Sequence, residues 1–283
     1  MGILNVTPDS FSDGGRLESV DEAVAQGVAL AEAGADILDV GGESTRPGAT
    51  PVSLEQECQR VLPVVEALAQ RVKIPISVDT SKAGVMKKAL AVGAGMINDV
   101  TALGGGMNTG DSTGPSSNRD GINPEALELL AATDHPIILM HMGGTPATMQ
   151  EAPHYQDVVV EVFEFLEERI TLCQKHGIDP KRLIADPGIG FGKSTQHNLT
   201  LLRHLPVLKG LGVPLLLGVS RKRVVGALTG EAKPEKRDVG SHVLAALGAL
   251  WGGADMVRVH DVAGTRQALD TALGWSEGLE AAA

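Results

Sequence analysis

Gly2-Ile3-Leu4-Asn5-Val6-Thr7-Pro8-Asp9-Ser10-Phe11-Ser12-Asp13-Gly14-Gly15 sets the pattern from which the fold is read. The apolar run Gly2–Val6 delivers one carboxamide, Asn5, and then breaks into a polar loop that Pro8 and the glycine pair keep out of strand or helix. The same figure returns seven times, at Ile37–Val40, Ile76–Val78, Met96–Val100, Ile137–Met140, Leu183–Ala185, Leu215–Val219 and Met256–Val259, each with a polar residue at or just after its end. Between these runs the apolar period is helical. Val20, Val24, Val28 and Ala31 share one face, while Asp21, Glu22, Gln26 and Glu32 lie off it. Ser19 with Glu22 and Ser53 with Gln56 have the spacing of a capping box, and Asn123-Pro124-Glu125 reads as a helix start. Gly34, Gly93, Gly177 and Gly253 are the expected helix ends.

Strands alternating with helices imply a parallel sheet, and eight such units in 283 residues fit an α/β protein of the (β/α)8 TIM barrel class, whose usual size is about 250 residues. A doubly wound open sheet is the alternative, because strand order leaves no mark on periodicity. The barrel has the stronger consequence, since it sends every C-terminal strand end to the one face where active sites of this fold lie. Residues 1–283 read as a single domain, with the glycine- and hydroxyl-rich stretch 104–123 as a flexible loop insertion after the fourth strand.

Aromatic residues make up only 2% of the chain against 43% hydrophobic residues in all, so the core must be Leu, Val, Ile and Ala, as in buried parallel strands. A formal charge of -11 sets nucleic acid and anionic membrane aside as main partners, and requires a local basic pocket for any anionic substrate. Cys58 and Cys173 have neither metal-ligand nor disulfide spacing. No signal-peptide pattern and no membrane-length apolar run is present, so the expected location is cytoplasmic.

The strand ends carry Asn5, Asp39, Asp79, Asn98, His141, Asp186, Ser220, Arg258 and His260. In Met256-Val257-Arg258-Val259-His260-Asp261 the period of two puts Arg258 and His260 on one face. With Ser220-Arg221-Lys222 they suggest an anion site after the last two strands, where barrels often hold phosphate. Arg46, in Ser44-Thr45-Arg46-Pro47-Gly48, adds a cation on a loop able to close over it. Asp186-Pro187-Gly188-Ile189-Gly190-Phe191-Gly192-Lys193 imitates two nucleotide motifs and satisfies neither, because Pro187 and Lys193 occupy required glycine positions. Its glycines imply close backbone approach to something flat or bulky. The Asp186 carboxylate suits adjacent N–H donors such as a pterin or guanine edge, and Asn98 suits a mixed edge.

The stretch Asn5–Gly15, together with Gly41-Gly42-Glu43-Ser44-Thr45-Arg46-Pro47-Gly48, resembles the dihydropteroate synthase family. Ser77-Val78-Asp79-Thr80, Ile97-Asn98-Asp99-Val100, Met140-His141-Met142, Asp186-Pro187-Gly188, Ser220-Arg221-Lys222 and Arg258-Val259-His260-Asp261 follow in the family's order, so the resemblance runs from Gly2 to about Trp275. It implies condensation of (7,8-dihydropterin-6-yl)methyl diphosphate with 4-aminobenzoate, a step of folate biosynthesis blocked by sulfonamides. It also implies a homodimer and a Mg²⁺ ion contacted by Asn5. Asp79, Asn98, Asp186, Lys222 and Arg258 would then hold the pterin, and Thr45, Arg258 and His260 the diphosphate. Phe11, Arg46, Pro47 and Ser220 would shape the aminobenzoate pocket, with Asp79, Lys222, Arg258 and His260 serving catalysis. The expected chemistry is a dissociative substitution, with diphosphate departure assisted by Mg²⁺, Arg258 and His260.

Three features depart from the family's pattern. Its members usually carry residues before the first strand that close the barrel bottom, and this chain starts with that strand, so the start is trimmed or the bottom is capped differently. The 104–123 loop is longer than usual, and Met142 is followed directly by Gly143-Gly144. Two alternatives stay open: a folate-dependent methyltransferase domain, which reads pterins with a similar Asp and Asn set, and a pterin-binding paralogue without synthase activity.

Overall fold

The structure is a computed structural model that describes residues 1–7, 16–44, 51–104, 121–144, 149 and 153–277. Its strands are β1 (Gly2–Asn5), β2 (Leu38–Gly41), β3 (Ile76–Asp79), β4 (Met96–Asp99), β5 (Ile137–Met140), β6 (Leu183–Asp186), β7 (Leu216–Leu217) and β8 (Met256–Val257). The helices are α1 (Arg16–Glu32), α2 (Leu54–Ala69), α3 (Ala83–Ala91), α4 (Pro124–Ala131), α5 (Val158–Lys175), α6 (Thr195–Arg203), α7 (Leu205–Leu208), α8 (Arg223–Thr229), α9 (Asp238–Leu250) and α10 (Val262–Glu277).

β1 to β6 form a continuous parallel sheet in sequence order, and β7 pairs with β8 as a two-stranded ribbon. Parallel bridges Ala185↔Leu215 and Gly2↔Val259 join ribbon to sheet on both sides and close the ring. The architecture is therefore the (β/α)8 barrel, not the open sheet. The expected strands are all present, but the last two are shorter than their apolar runs. Leu215 and Val259 serve at these single-bridge joints instead of in a ladder.

Strand periodicity separates two cores. Leu4, Leu38, Val40, Val78, Ile97, Ile137, Leu139, Leu183, Leu217 and Val257 face outward and pack with the helices. Met1, Met96, Ile138, Ile184 and Leu216 form a second cluster inside the barrel, with Ile37 and Met256 against it. Each fully buried side chain of this size contributes roughly 1.5–3 kcal/mol. Two residues along each strand from that cluster the chain presents Ile3, Asp39, Asn98, Met140, Asp186, Gly218 and Arg258, because side chains alternate with a period of two. The apolar plug thus sets the inward register of the polar residues at the barrel mouth. Met1 occupies part of this floor.

Local signals explain the helices. Ser53 accepts from Gln56 N at 3.2 Å and Gln56 Oε1 accepts from Ser53 N, a complete capping box at the start of α2. Asn123 caps α4, accepting from Ala126 N at 3.1 Å ahead of Pro124. Gly34, Gly93, Gly177 and Gly253 all take positive φ, between 70° and 111°, at the helix ends. Ser19 is a correction: it lies inside α1, so the capping-box spacing with Glu22 is only coincident with the helix. Among the described residues no helix is long and apolar enough to cross a membrane. Residues 105–120 of the 104–123 stretch lie outside the described residues, but Asn123 N donates to Leu103 O at 2.7 Å, so the chain leaves and returns at nearly one point.

Candidate active site

A cavity at the C-terminal mouth of the barrel is lined by Asp79, Asn98, Asp186, Ser220, Lys222, Arg258 and His260, over apolar walls of Ile3, Val100, Met140 and Phe191. These seven polar residues are among those the sequence singles out, on β3, β4 and β6 and just after β7 and β8. Asn5 ends β1 beside Gly41, which in turn pairs with Asp79, so it stands on the same rim without lining the cavity. Phe11, Thr45, Arg46 and Pro47 lie outside the described residues.

The acidic and basic halves meet at Arg258. Its Nε donates to Asp39 Oδ2 at 2.5 Å and its Nη2 to Asp79 Oδ2 at 3.0 Å. Asn98 Nδ2 donates to the same Asp39 oxygen at 3.1 Å. Asp39, which the sequence places at a strand end without a role, is thus the fully buried anchor of the arrangement. Two carboxylates share one guanidinium here, and Asp39 has the shorter bond. Burial pushes the Asp79 carboxyl up to about 7 against the opposing pull of Arg258, with Asp39 adding to the rise.

Across the slot Asp186 Oδ1 accepts from Gly188 N at 2.7 Å. Burial raises its pKa, and the nearby Lys222 ammonium opposes the rise. Lys222 donates to Ile189 O at 2.5 Å and lies 4.7 Å over the Phe191 ring. Burial lowers its pKa to about 8, with Asp186 working the other way. A Cβ at Gly218 would come within 3.4 Å of Lys222 Nζ and 4.0 Å of Asp186 Oδ2, so glycine leaves the space beside both side chains open. Ser220 Oγ accepts from His260 N at 3.1 Å and lies 2.9 Å from His260 Nδ1.

Two expectations change. Arg221 does not join the anion group: its guanidinium forms a two-pronged pair with Asp238 at 2.7 and 2.8 Å and does not line the cavity. Gly188 and Gly192 serve the protein's own backbone before any ligand, while Gly190 lies against the Lys222 side chain. A Cβ at Gly188 would come within 1.8 Å of His141 O, and one at Gly192 within 2.1 Å of Gly143 O. Lys193, read in sequence only as a spoiled motif, is buried beneath this loop. It donates to Gly188 O and Phe191 O at 3.0 Å each and meets His141 Nδ1 at 2.8 Å. Burial holds His141 well below the usual imidazole range, so its ring is neutral and accepts, which gives it a structural task. Burial also brings Lys193 down to about 7, against the influence of Asp186. Lys193→Met removes the donor from several buried acceptors at once. The expected cost is about 3 kcal/mol, read as a lower denaturant midpoint with unchanged slope.

Asp186, Asn98 and the Lys222 ammonium offer acceptors and donors in one cavity over apolar walls. That suits a planar heterocycle with amino and carbonyl groups. Among the described residues no group of three or more His, Cys, Asp or Glu is arranged to hold a metal ion. The Asn5 carboxamide makes no side-chain hydrogen bond among those residues, and its oxygen is the hard donor type that Mg²⁺ accepts.

Comparison with known proteins fits this geometry. The family described as pterin binding enzyme matches residues 1–260. The dihydropteroate synthase of Escherichia coli K12 is 48% identical over 269 residues, covering 95% of this chain and 88% of that protein. A solved dihydropteroate synthase of Xanthomonas albilineans with 4-aminobenzoic acid superposes with a TM-score of 0.85 at 51% identity, covering 98% of this chain and 92% of that one. A structure of the Xanthomonas albilineans enzyme in complex with 7,8-dihydropteroate gives 0.83 at 49% identity, covering 98% and 93%.

Proposed function

The chain belongs to the dihydropteroate synthases of the pterin-binding enzyme family, and on that premise we propose how its residues condense (7,8-dihydropterin-6-yl)methyl diphosphate with 4-aminobenzoate to give 7,8-dihydropteroate and diphosphate. The observation that carries the reading is the slot between Asp186 and Arg258, where acceptors, the Lys222 ammonium and a bridging guanidinium line one cavity.

Asp186 accepts from the pterin's amino and ring N–H edge, Asn98 completes that edge, and Lys222 donates to the ring carbonyl. Arg258 covers the pterin face. A guanidinium carries five N–H donors, and Asp39 and Asp79 take one each, so others remain for the diphosphate beside His260 Nε2. Thr45 joins them from the second loop. Phe11, Arg46, Pro47 and Ser220 shape the aminobenzoate pocket. Asn5 would contact Mg²⁺, which when bound to the diphosphate oxygens neutralises leaving-group charge.

The methylene–oxygen bond breaks first and its electron pair leaves on the diphosphate, where Arg258 and His260 meet the growing charge. The electron-rich ring and the Asp79 carboxylate stabilise the pterin-methyl cation. The arylamine lone pair then forms the C–N bond, and the nitrogen gives its extra proton to solvent. No protein base is required. Diphosphate release in the absence of aminobenzoate tests the order of these events; strict dependence on the arylamine counts against it.

The activity itself is tested by forming dihydropteroate from both substrates with Mg²⁺ and blocking it with a sulfonamide. Pterin binding without product sinks the synthase reading. The charge states predict a narrow pH optimum. Asp79 acts ionised and loses its charge below about 7, while Lys222 acts protonated and loses its charge above about 8. A plot of kcat/KM for the pterin substrate against pH therefore falls on both sides. In Asp79→Asn only the alkaline limb remains. The assembly is a homodimer, for which Val239, Val243 and Leu247 on α9 and Trp251 just past its end offer an exposed stripe at four-residue spacing; sedimentation equilibrium measures it.

A further inference from the structure

Arg221 stands between Ser220 and Lys222, both in the cavity, and has φ 59°, a left-handed conformation unfavourable for a residue with a Cβ. It is the third residue of a turn closed by Lys222 N donating to Val219 O at 3.2 Å, a place where turns with positive φ favour glycine. An arginine persists there because three groups around the start of α9 hold it. Asp238 receives its guanidinium through Nε at 2.7 Å and Nη2 at 2.8 Å. Ser241 Oγ accepts from its backbone N at 2.9 Å, and Arg237 Nη1 donates to its carbonyl at 3.0 Å. The braces are themselves fixed. Arg237 is buried and donates to Glu231 O and Ala232 O, and Ser241 Oγ donates to Arg237 O at 2.7 Å.

We propose that Arg237, Asp238 and Ser241 are positioning residues for the reaction, holding Ser220 and Lys222 in the site by clamping the backbone and side chain of Arg221 between them. The proposal rests on the roles given above to Ser220 and Lys222. A clamp of this kind fixes where two side chains leave the backbone. Ser220 must meet His260 Nδ1 while Lys222 reaches Ile189 O and the Asp186 side of the slot. If Arg221 relaxes to negative φ, the turn reopens and both side chains swing. Misplacement of about 1 Å at reacting or binding groups is enough to cost roughly 100-fold in rate.

The test uses the full chain and steady-state kinetics with each substrate varied. Asp238→Ala and Ser241→Ala are expected to raise KM for 4-aminobenzoate and to lower kcat/KM for the pterin substrate about tenfold or more, with circular dichroism unchanged. Asp238→Asn, which keeps one acceptor for Arg221, should retain more activity than Asp238→Ala. A second pair separates positioning from stability. Arg221→Gly adopts positive φ freely and should exceed Arg221→Ala in kcat/KM, although both lose the pair with Asp238. Unchanged constants in Asp238→Ala and Ser241→Ala, with clear losses in Ser220→Ala and Lys222→Ala, overturn the clamp alone. No loss in Ser220→Ala and Lys222→Ala overturns the reading of the site and the clamp with it. Equal kinetics for Arg221→Gly and Arg221→Ala also overturn it.

Discussion

Arg258→Ala is expected to lower kcat/KM by about three orders of magnitude and stability by about 3 kcal/mol. The activity loss follows from the role proposed for Arg258, as the donor that would meet diphosphate charge as it develops. The stability loss follows from stranding Asp39, with no exposed surface, and Asp79 without their shared cation. Breaking a buried pair from one side is costly because the remaining charge keeps its desolvation penalty without compensation. Arg258 is also the chief influence holding the Asp79 pKa down, so in the variant that carboxyl rises beyond about 7 and is protonated at neutral pH. The sign of the pH effect follows. A carboxyl whose pKa is higher in the folded than in the unfolded chain favours the folded state at low pH, and that contribution is lost as pH rises through the folded value. The stability gap between wild type and variant should therefore narrow as pH falls from 8 toward about 5. Adding Asp39→Asn should restore part of the stability and none of the activity. Denaturant midpoints across pH, beside kinetics, decide the matter; activity within tenfold of wild type would remove Arg258 from the mechanism.

Asp186→Asn should weaken the pterin substrate by about 100- to 1,000-fold while leaving the fold intact. Asparagine's Oδ1 can still accept from Gly188 N, so the loop keeps its anchor. What is lost is a charged acceptor facing two N–H donors, each such bond worth about 1.5–3 kcal/mol, and the new amide N–H₂ faces those donors directly. The substitution also has a remote signature. Asp186 is the main charge raising the Lys222 pKa, so without it Lys222 drops below its value of about 8. The alkaline limb of the pH profile should then move to lower pH. Pterin binding by calorimetry and the position of that limb provide two independent readouts. A normal dissociation constant would place the pterin edge elsewhere.

Most of the fold was legible because it depends on local periods. Apolar runs at eight places, helix caps such as Ser53 and Asn123, and terminal glycines such as Gly34 and Gly93 are all short-range signals. The period of two also brought Arg258 and His260 to one cavity. What stayed hidden depends on distant partners. Arg258 meets Asp39 across 219 positions and Lys193 meets His141 across 52, and neither pairing leaves a trace in either segment. For the same reason Arg221 read as one more cation of the site, although α9 turns it aside. Gly188 and Gly192 pointed correctly to close approach, but the neighbour was the protein's own chain at His141 and Gly143. Ser19 shows the opposite failure, a valid local motif overridden by a helix that starts earlier.

The two pieces of sheet give the site a mechanical side. Asp39, Asp79, Asn98 and Asp186 belong to the six-stranded piece, whereas Arg258, Ser220 and His260 follow from the ribbon held by one bridge on each flank. The guanidinium bonds from Arg258 to Asp39 and Asp79 therefore act as a rivet between the last strand and the early ones, beside the backbone bonds from Ile3 N to Val259 O and from Val259 N to Met1 O. The phosphate group of the proposed substrate would take N–H groups of the same guanidinium that Asp39 and Asp79 leave open. On the proposed assignment, recognition of the leaving group and closure of the cylinder draw on the same side chain.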